Sequence, residues 1–98
     1  MLPMKDSPEV CPVAKVASLL SDAWTMLIVR DLMRTRLRYS ELVTSLDGIS
    51  TRTLVLKLKK LEDSGIVSKK DPYYVITPKG KRLGAIFQEM TKYGKKYL

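Results

Sequence analysis

Residues 48–67 read GISTRTLVLKLKKLEDSGIV, with four leucines and four cationic side chains held between Gly48 and Gly65. At 100° per residue, Leu54, Leu58 and Leu61 fall within about 60° of one another and form one apolar side of a helix. Arg52, Thr53, Leu56, Lys59, Lys60 and Asp63 lie roughly opposite, so the other face is cationic with one leucine stranded in it. Ser50 is suited to the N-cap, and Gly65 can take the left-handed conformation that closes a helix running to Ser64.

The flanks give this helix its setting. Upstream, Tyr39 or Ser40 begins a short helix through Leu46, with Leu42, Val43 and Leu46 expected inward and Asp47-Gly48 ending it. Two helices joined by a tight glycine turn result. Downstream, residues 66–70 and 73–77 are β-favouring runs split by Asp71-Pro72, which reads as a hairpin.

Further out, Pro12 suits the first position of a helix with Val13, Val16, Ala17 and Leu20 on one face. Asp22 can cap the next helix, whose Trp24, Leu27, Ile28 and Leu32 or Met33 mark it as the core. Residues 36–39 interrupt the pattern. Thr77-Pro78 caps a last helix, in which Leu83, Ile86, Phe87, Met90, Tyr93, Gly94 and Tyr97 recur at three- and four-residue steps against a basic face. The expected fold is mainly α with a small β-hairpin: a winged helix-turn-helix with a three-helix core and terminal dimerisation helices. Residues 1–10 read as a flexible arm and 11–98 as a single domain.

The chain has 98 residues, enough for one small core. Its charge is uneven: residues 1–33 carry three cations and four anions, whereas 34–98 carry fifteen and six. A cationic excess in the last two thirds attracts polyanions, nucleic acid or an anionic membrane surface. The longest apolar run, Met26 to Val29, is far short of a membrane span, and the first residues lack the pattern of a secretory signal. One cysteine excludes an internal disulfide and points to a reducing cytoplasm. With no histidine, no Gly-rich phosphate loop and no metal set, neither a catalytic base nor a cofactor site is recognisable, and no enzyme is expected.

A basic helix that follows a shorter helix across a tight turn and precedes a hairpin has the order of a winged helix-turn-helix, in which the second helix enters the major groove of double-stranded DNA. In that setting Arg52 can donate to guanine, and Thr53 and Leu56 can touch thymine methyls. Arg38, Ser40, Ser50, Thr51, Lys59, Lys60, Lys69 and Lys70 are the candidates for the remaining DNA contacts, the cations holding phosphate. Taken alone, Lys59 and Lys60 are equally a solvated charge run, and Leu56 an ordinary exposed leucine. The same basic face also suits a module that coats DNA without sequence preference or binds a protein.

The blocks CPV (11–13), SDAWTMLIVRDL (21–32), RYSEL (38–42), GISTRTL (48–54), LKKLEDSGIV (58–67) and YVITPKG (74–80), in this order, resemble the HxlR-type transcriptional regulators, winged-helix relatives of the MarR group. The resemblance implies a homodimeric DNA-binding regulator that reads a pseudo-palindromic operator with the helix over residues 50–64. Its first and last helices would pair through Val13, Val16, Leu20, Leu83, Ile86, Phe87, Met90, Tyr93 and Tyr97. In one place the chain departs from the family, which usually has a longer loop between Lys70 and Tyr74, so a short wing meeting phosphates through Lys69 and Lys70 is expected.

Cys11 matches the position at which some members carry a redox-sensing thiol, and the positive end of a helix favours a thiolate there. A small residue packed under the first helix is the alternative. Trp24 reads as a core anchor, and Tyr73, Tyr74, Tyr93 and Tyr97 as packing residues before an effector pocket. The resemblance leaves room for an unidentified small-molecule or redox effector.

Overall fold

Asp22 begins the core helix as the sequence suggests: its carboxylate accepts a hydrogen bond of 2.9 Å from the Thr25 N–H. The computed structural model describes residues 10–20 and 22–98; most of the expected N-terminal arm, residues 1–9, lies outside the described residues. The elements are α1 (Pro12–Leu19), α2 (Ala23–Arg34), β1 (Leu37–Arg38), α3 (Tyr39–Ser45), α4 (Thr51–Asp63), β2 (Val67–Lys70), β3 (Tyr73–Ile76), α5 (Pro78–Lys81) and α6 (Gly84–Tyr97).

The core gathers Ile28, Val29 and Leu32 of α2, Leu42 and Leu46 around α3, and Leu54, Leu58 and Leu61 of α4. The leucine spacing thus places the buried side of α4 where the 3.6-residue period puts it. Trp24 is half-buried against this cluster, as a core anchor. Val43, expected inward, is 40% exposed, because the short α3 turns only Leu42 and Leu46 toward α2 and α4.

One buried carboxylate fastens α2 to α3. Asp31 accepts from Ser45 Oγ at 2.6 Å and from Arg30 Nε and Nη2 at 3.0 and 2.9 Å. A buried carboxylate with every oxygen engaged fixes relative placement more than it adds stability.

The interruption at residues 36–39 holds a two-residue strand, Leu37–Arg38, and the start of α3. β1 pairs antiparallel with β3, Leu37 opposite Tyr74 and Arg38 opposite Tyr73, so the expected hairpin is part of a three-stranded sheet of order β1-β3-β2. Tyr74 points into the core and Tyr73 away from it.

The last helix is two helices. α5 ends at Lys81, and Leu83 turns into the core at the break, which removes it from the apolar stripe of α6. Leu20 is likewise buried within its own chain. Thr77-Pro78-Lys79-Gly80 makes the corner from β3 into α5: Thr77 Oγ1 accepts from the Gly80 N–H at 3.0 Å and donates to Gly65 O at 2.6 Å. Lys79 Nζ donates to Ser64 O at 2.8 Å, and a Cβ on Gly80 would stand 2.4 Å from Ile66 O. The motif closes α4 and docks α5 on the strand that follows it.

Candidate nucleic-acid interface

α4 starts where Ser50 Oγ accepts from the Thr53 N–H at 3.1 Å and donates to Thr53 Oγ1 at 2.9 Å. Such a cap stabilises the helix by about 1 kcal/mol and engages the Thr53 hydroxyl. The helix ends before Gly65, whose φ of 75° is the left-handed closure. Gly48, at φ 90°, makes the turn from α3.

On the outer face Thr51, Arg52 and Lys59 are exposed, and Leu56 is 55% exposed. Val55, which the sequence reading did not single out, stands 50% exposed beside them. Its phase, 100° from Leu54 and Leu56, puts it on the flank of the basic face and could have marked it.

Tyr39 OH donates to Thr51 O at 3.5 Å, which sets the first turn of α3 against the first turn of α4. Arg38 and Ser40, both exposed, therefore stand at the same end as Thr51 and Arg52. The sheet register extends this row. Arg38 is opposite Tyr73, and Tyr73 opposite Lys70. The Arg38 guanidinium lies 5.4 Å from the Tyr73 ring centroid, and the Arg38 backbone N–H donates to Glu41 Oε1 at 2.8 Å, capping α3. Lys69, one residue back, stands 5.5 Å from the Tyr74 ring. The β2–β3 connection is only Asp71-Pro72, the short wing expected.

Lys60 does not join this surface. Its ammonium donates to Ser18 O at 3.0 Å, tying α4 to α1. Lys57, one turn earlier and not singled out from sequence, pairs with Asp22. Burial opposes the Asp22 charge, but hydrogen bonds from Lys57 and the Thr25 N–H and the Lys57 charge outweigh it, lowering its pKa to about 2. So the cations of α4 divide, Arg52 and Lys59 outward and Lys57 and Lys60 toward α1 and α2.

The terminal helices carry the second feature. α6 has no buried residue in this chain, and Ile86, Met90, Tyr93 and Tyr97 are exposed along it. Val13 of α1 is 78% exposed, and a shallow apolar hollow lined by Val13, Val16 and Ile86 joins α1 to α6. Phe87 is half-buried against the core, and the Tyr93 and Tyr97 rings meet at a tilt of 43° with centroids 4.9 Å apart. Cys11 is the N-cap of α1, half-buried and free, with no side-chain capping bond.

A family model described as HxlR-like helix-turn-helix matches residues 19–98. The chain belongs to this family. It is a helix-turn-helix transcriptional regulator of the HxlR family, similar to the HTH-type regulator sll1512 of Synechocystis, which is 32% identical over 98% of this chain and 76% of its own. YodB of Bacillus subtilis is 36% identical, covering 83% of this chain and 80% of its own. The solved structure of quinone-bound YodB superimposes with a TM-score of 0.81 at 34% identity, over 87% of this chain and 97% of its own. A MarR-family regulator from Porphyromonas gingivalis gives 0.86 at 35% identity, over 94% of this chain and 97% of that one. Among the described residues no single helix is long and apolar enough to cross a membrane.

Proposed function

We propose that this HxlR-family regulator binds a pseudo-palindromic DNA operator as a homodimer, with α4 of each subunit in the major groove. The observation that carries the reading is the division of α4: Leu54, Leu58 and Leu61 are buried, while Arg52, Leu56 and Lys59 stand outward beside Arg38 and Lys70. A helix that buries one side and presents arginine, threonine and aliphatic groups on the other matches the donor and methyl pattern of base edges. The cations at the sheet end supply phosphate contacts that set register.

The homodimer is supported by α6 and α1. Ile86, Met90, Tyr93, Tyr97 and Val13 expose more apolar surface than a chain this small leaves in water, and a second copy covers it symmetrically. Two α4 helices would then reach grooves one helical turn apart, about 34 Å. Of the residues expected at this seam, Leu20 and Leu83 serve the chain's own core, and Phe87 is half-buried against it.

Repeated in vitro selection from randomised duplexes tests the proposal. An enriched motif with two inverted half-sites about ten base pairs apart is expected. Failure to enrich any motif, with duplexes of all sequences bound equally, would replace it with the second reading, a sequence-blind DNA-coating module. For Cys11, the quinone-bound state of YodB supports a redox or electrophile response, acting between subunits or through a modified thiol, since one cysteine cannot close a bridge within the chain.

A further inference from the structure

A cavity of about 400 Å³ opens between the end of α2, the Thr35–Arg36 link, β3 and α5. Arg34, Arg36 and Lys81 line it, Leu32, Met33 and Ile76 form its apolar part, and no carboxylate is among its lining residues. None of the ion pairs among the described residues uses these three cations. The Arg36 guanidinium lies 4.2 Å from the Tyr73 ring centroid, a cation–π contact that restricts the side chain before any ligand arrives.

Charge and size together define what fits. The carbonyl end of α2 contributes roughly half a negative charge, which leaves the three cations well in excess. A carboxylate would engage one guanidinium and leave two cations crowded beside it. A phosphate monoester carries about −1.5 to −2 at neutral pH and three acceptor oxygens, enough to face two arginines and a lysine at once. The volume is that of a small-molecule site, larger than inorganic phosphate alone would fill.

We propose that this cavity binds a small phosphate monoester with an apolar or aromatic body. The phosphate of a DNA backbone has the same chemistry; Arg36 reaches over Tyr73 toward the Asp71-Pro72 tip, while the floor residues Val75 and Ile76 pair with Ser68 and Val67 at the root of the hairpin, the end away from that tip. That placement favours a free molecule. A ligand held there touches α2 and β3 together and links the core to the strand behind the wing.

Calorimetric titration of the free protein with phenyl phosphate, phenyl sulfate and inorganic phosphate tests this, independently of operator recognition. Phenyl phosphate is expected to saturate at one per chain with a Kd below about 1 mM, and the monoanionic sulfate and the bodiless phosphate to bind at least about tenfold more weakly. Arg34→Gln with Lys81→Gln, and Arg34→Gln alone as a milder change, should weaken phenyl phosphate binding while the ligand-free melting temperature stays put. Equal binding of all three probes, no saturation, or variants that bind like wild type would each overturn the proposal. So would a duplex arm in which the variants lose DNA affinity while phenyl phosphate is silent, since the cations would then serve the backbone.

Discussion

The Lys57 ammonium of α4 pairs with the Asp22 carboxylate that also caps α2, so the helix expected to read DNA is fastened to the start of the core helix. The carboxylate titrates at about 2 against an ordinary value of 3.8. Because the folded value is the lower one, the stabilisation is complete above roughly pH 4 and disappears as pH falls through about 2. The shift alone corresponds to about 2 kcal/mol, and with both side chains about a third exposed, screening reduces this to about 1. Urea unfolding of wild type and Asp22→Ala between pH 2 and pH 7 should show the variant weaker at neutral pH and the two curves converging toward pH 2. A gap independent of pH would assign the effect to neutral packing instead.

Gly80 is required by close approach, since an added Cβ would stand 2.4 Å from Ile66 O and 2.8 Å from Ile76 Cδ1. The backbone oxygen cannot rotate away, so Gly80→Ala should lower stability by about 1–3 kcal/mol. Gly84 is the control: a Cβ there meets nothing within 4 Å, and Gly84→Ala should raise stability by about 0.5 kcal/mol. Thermal unfolding of both variants checks the pair, and equal shifts would remove the close-packing argument.

What was legible in the sequence followed from local rules. Leu54, Leu58 and Leu61 repeat at the helical period, and Asp22, Ser50 and Thr77 stand before helices where caps belong, so the starts of those helices and the buried side of α4 were readable. What was missed depends on partners distant in the chain. β1 is two residues long and has no period to detect; it exists because β3 lies beside it. Leu20 and Leu83 share the phase of an apolar stripe, and only tertiary packing buries them. Lys60 differs from Lys59 by 100° of helix phase, which turns it toward Ser18 of α1.

The α6 surface predicts its own disruption. Met90 and Tyr93 are exposed, so Met90→Glu with Tyr93→Glu should leave the fold intact while placing charge in the proposed seam. Sedimentation is expected to show wild type as a dimer at micromolar concentration and the variant dissociating at least about tenfold more readily. An unchanged mass distribution would move the dimer elsewhere or abolish it.

On the proposed operator the outer face of α4 would divide into readers and holders, and single substitutions separate them. Arg52 stands in the first turn, where a recognition helix approaches base edges, and Arg52→Ala should cost about 1–3 kcal/mol on the selected operator and much less on random DNA. Lys59, two turns on and exposed, is the proposed phosphate holder; Lys59→Ala should weaken both duplexes alike and flatten the slope of log affinity against log salt by about 0.9. Lys60→Ala provides the contrast, because its ammonium is held by Ser18 O. It should leave the salt slope unchanged and lower stability by about 1 kcal/mol through the lost tie to α1. Fluorescence titrations at several salt concentrations read all three. If Arg52→Ala lowers operator and random binding equally, α4 is a cationic clamp and the sequence-specific reading fails; if Lys60→Ala flattens the slope as Lys59→Ala does, its side chain leaves Ser18 to meet the backbone.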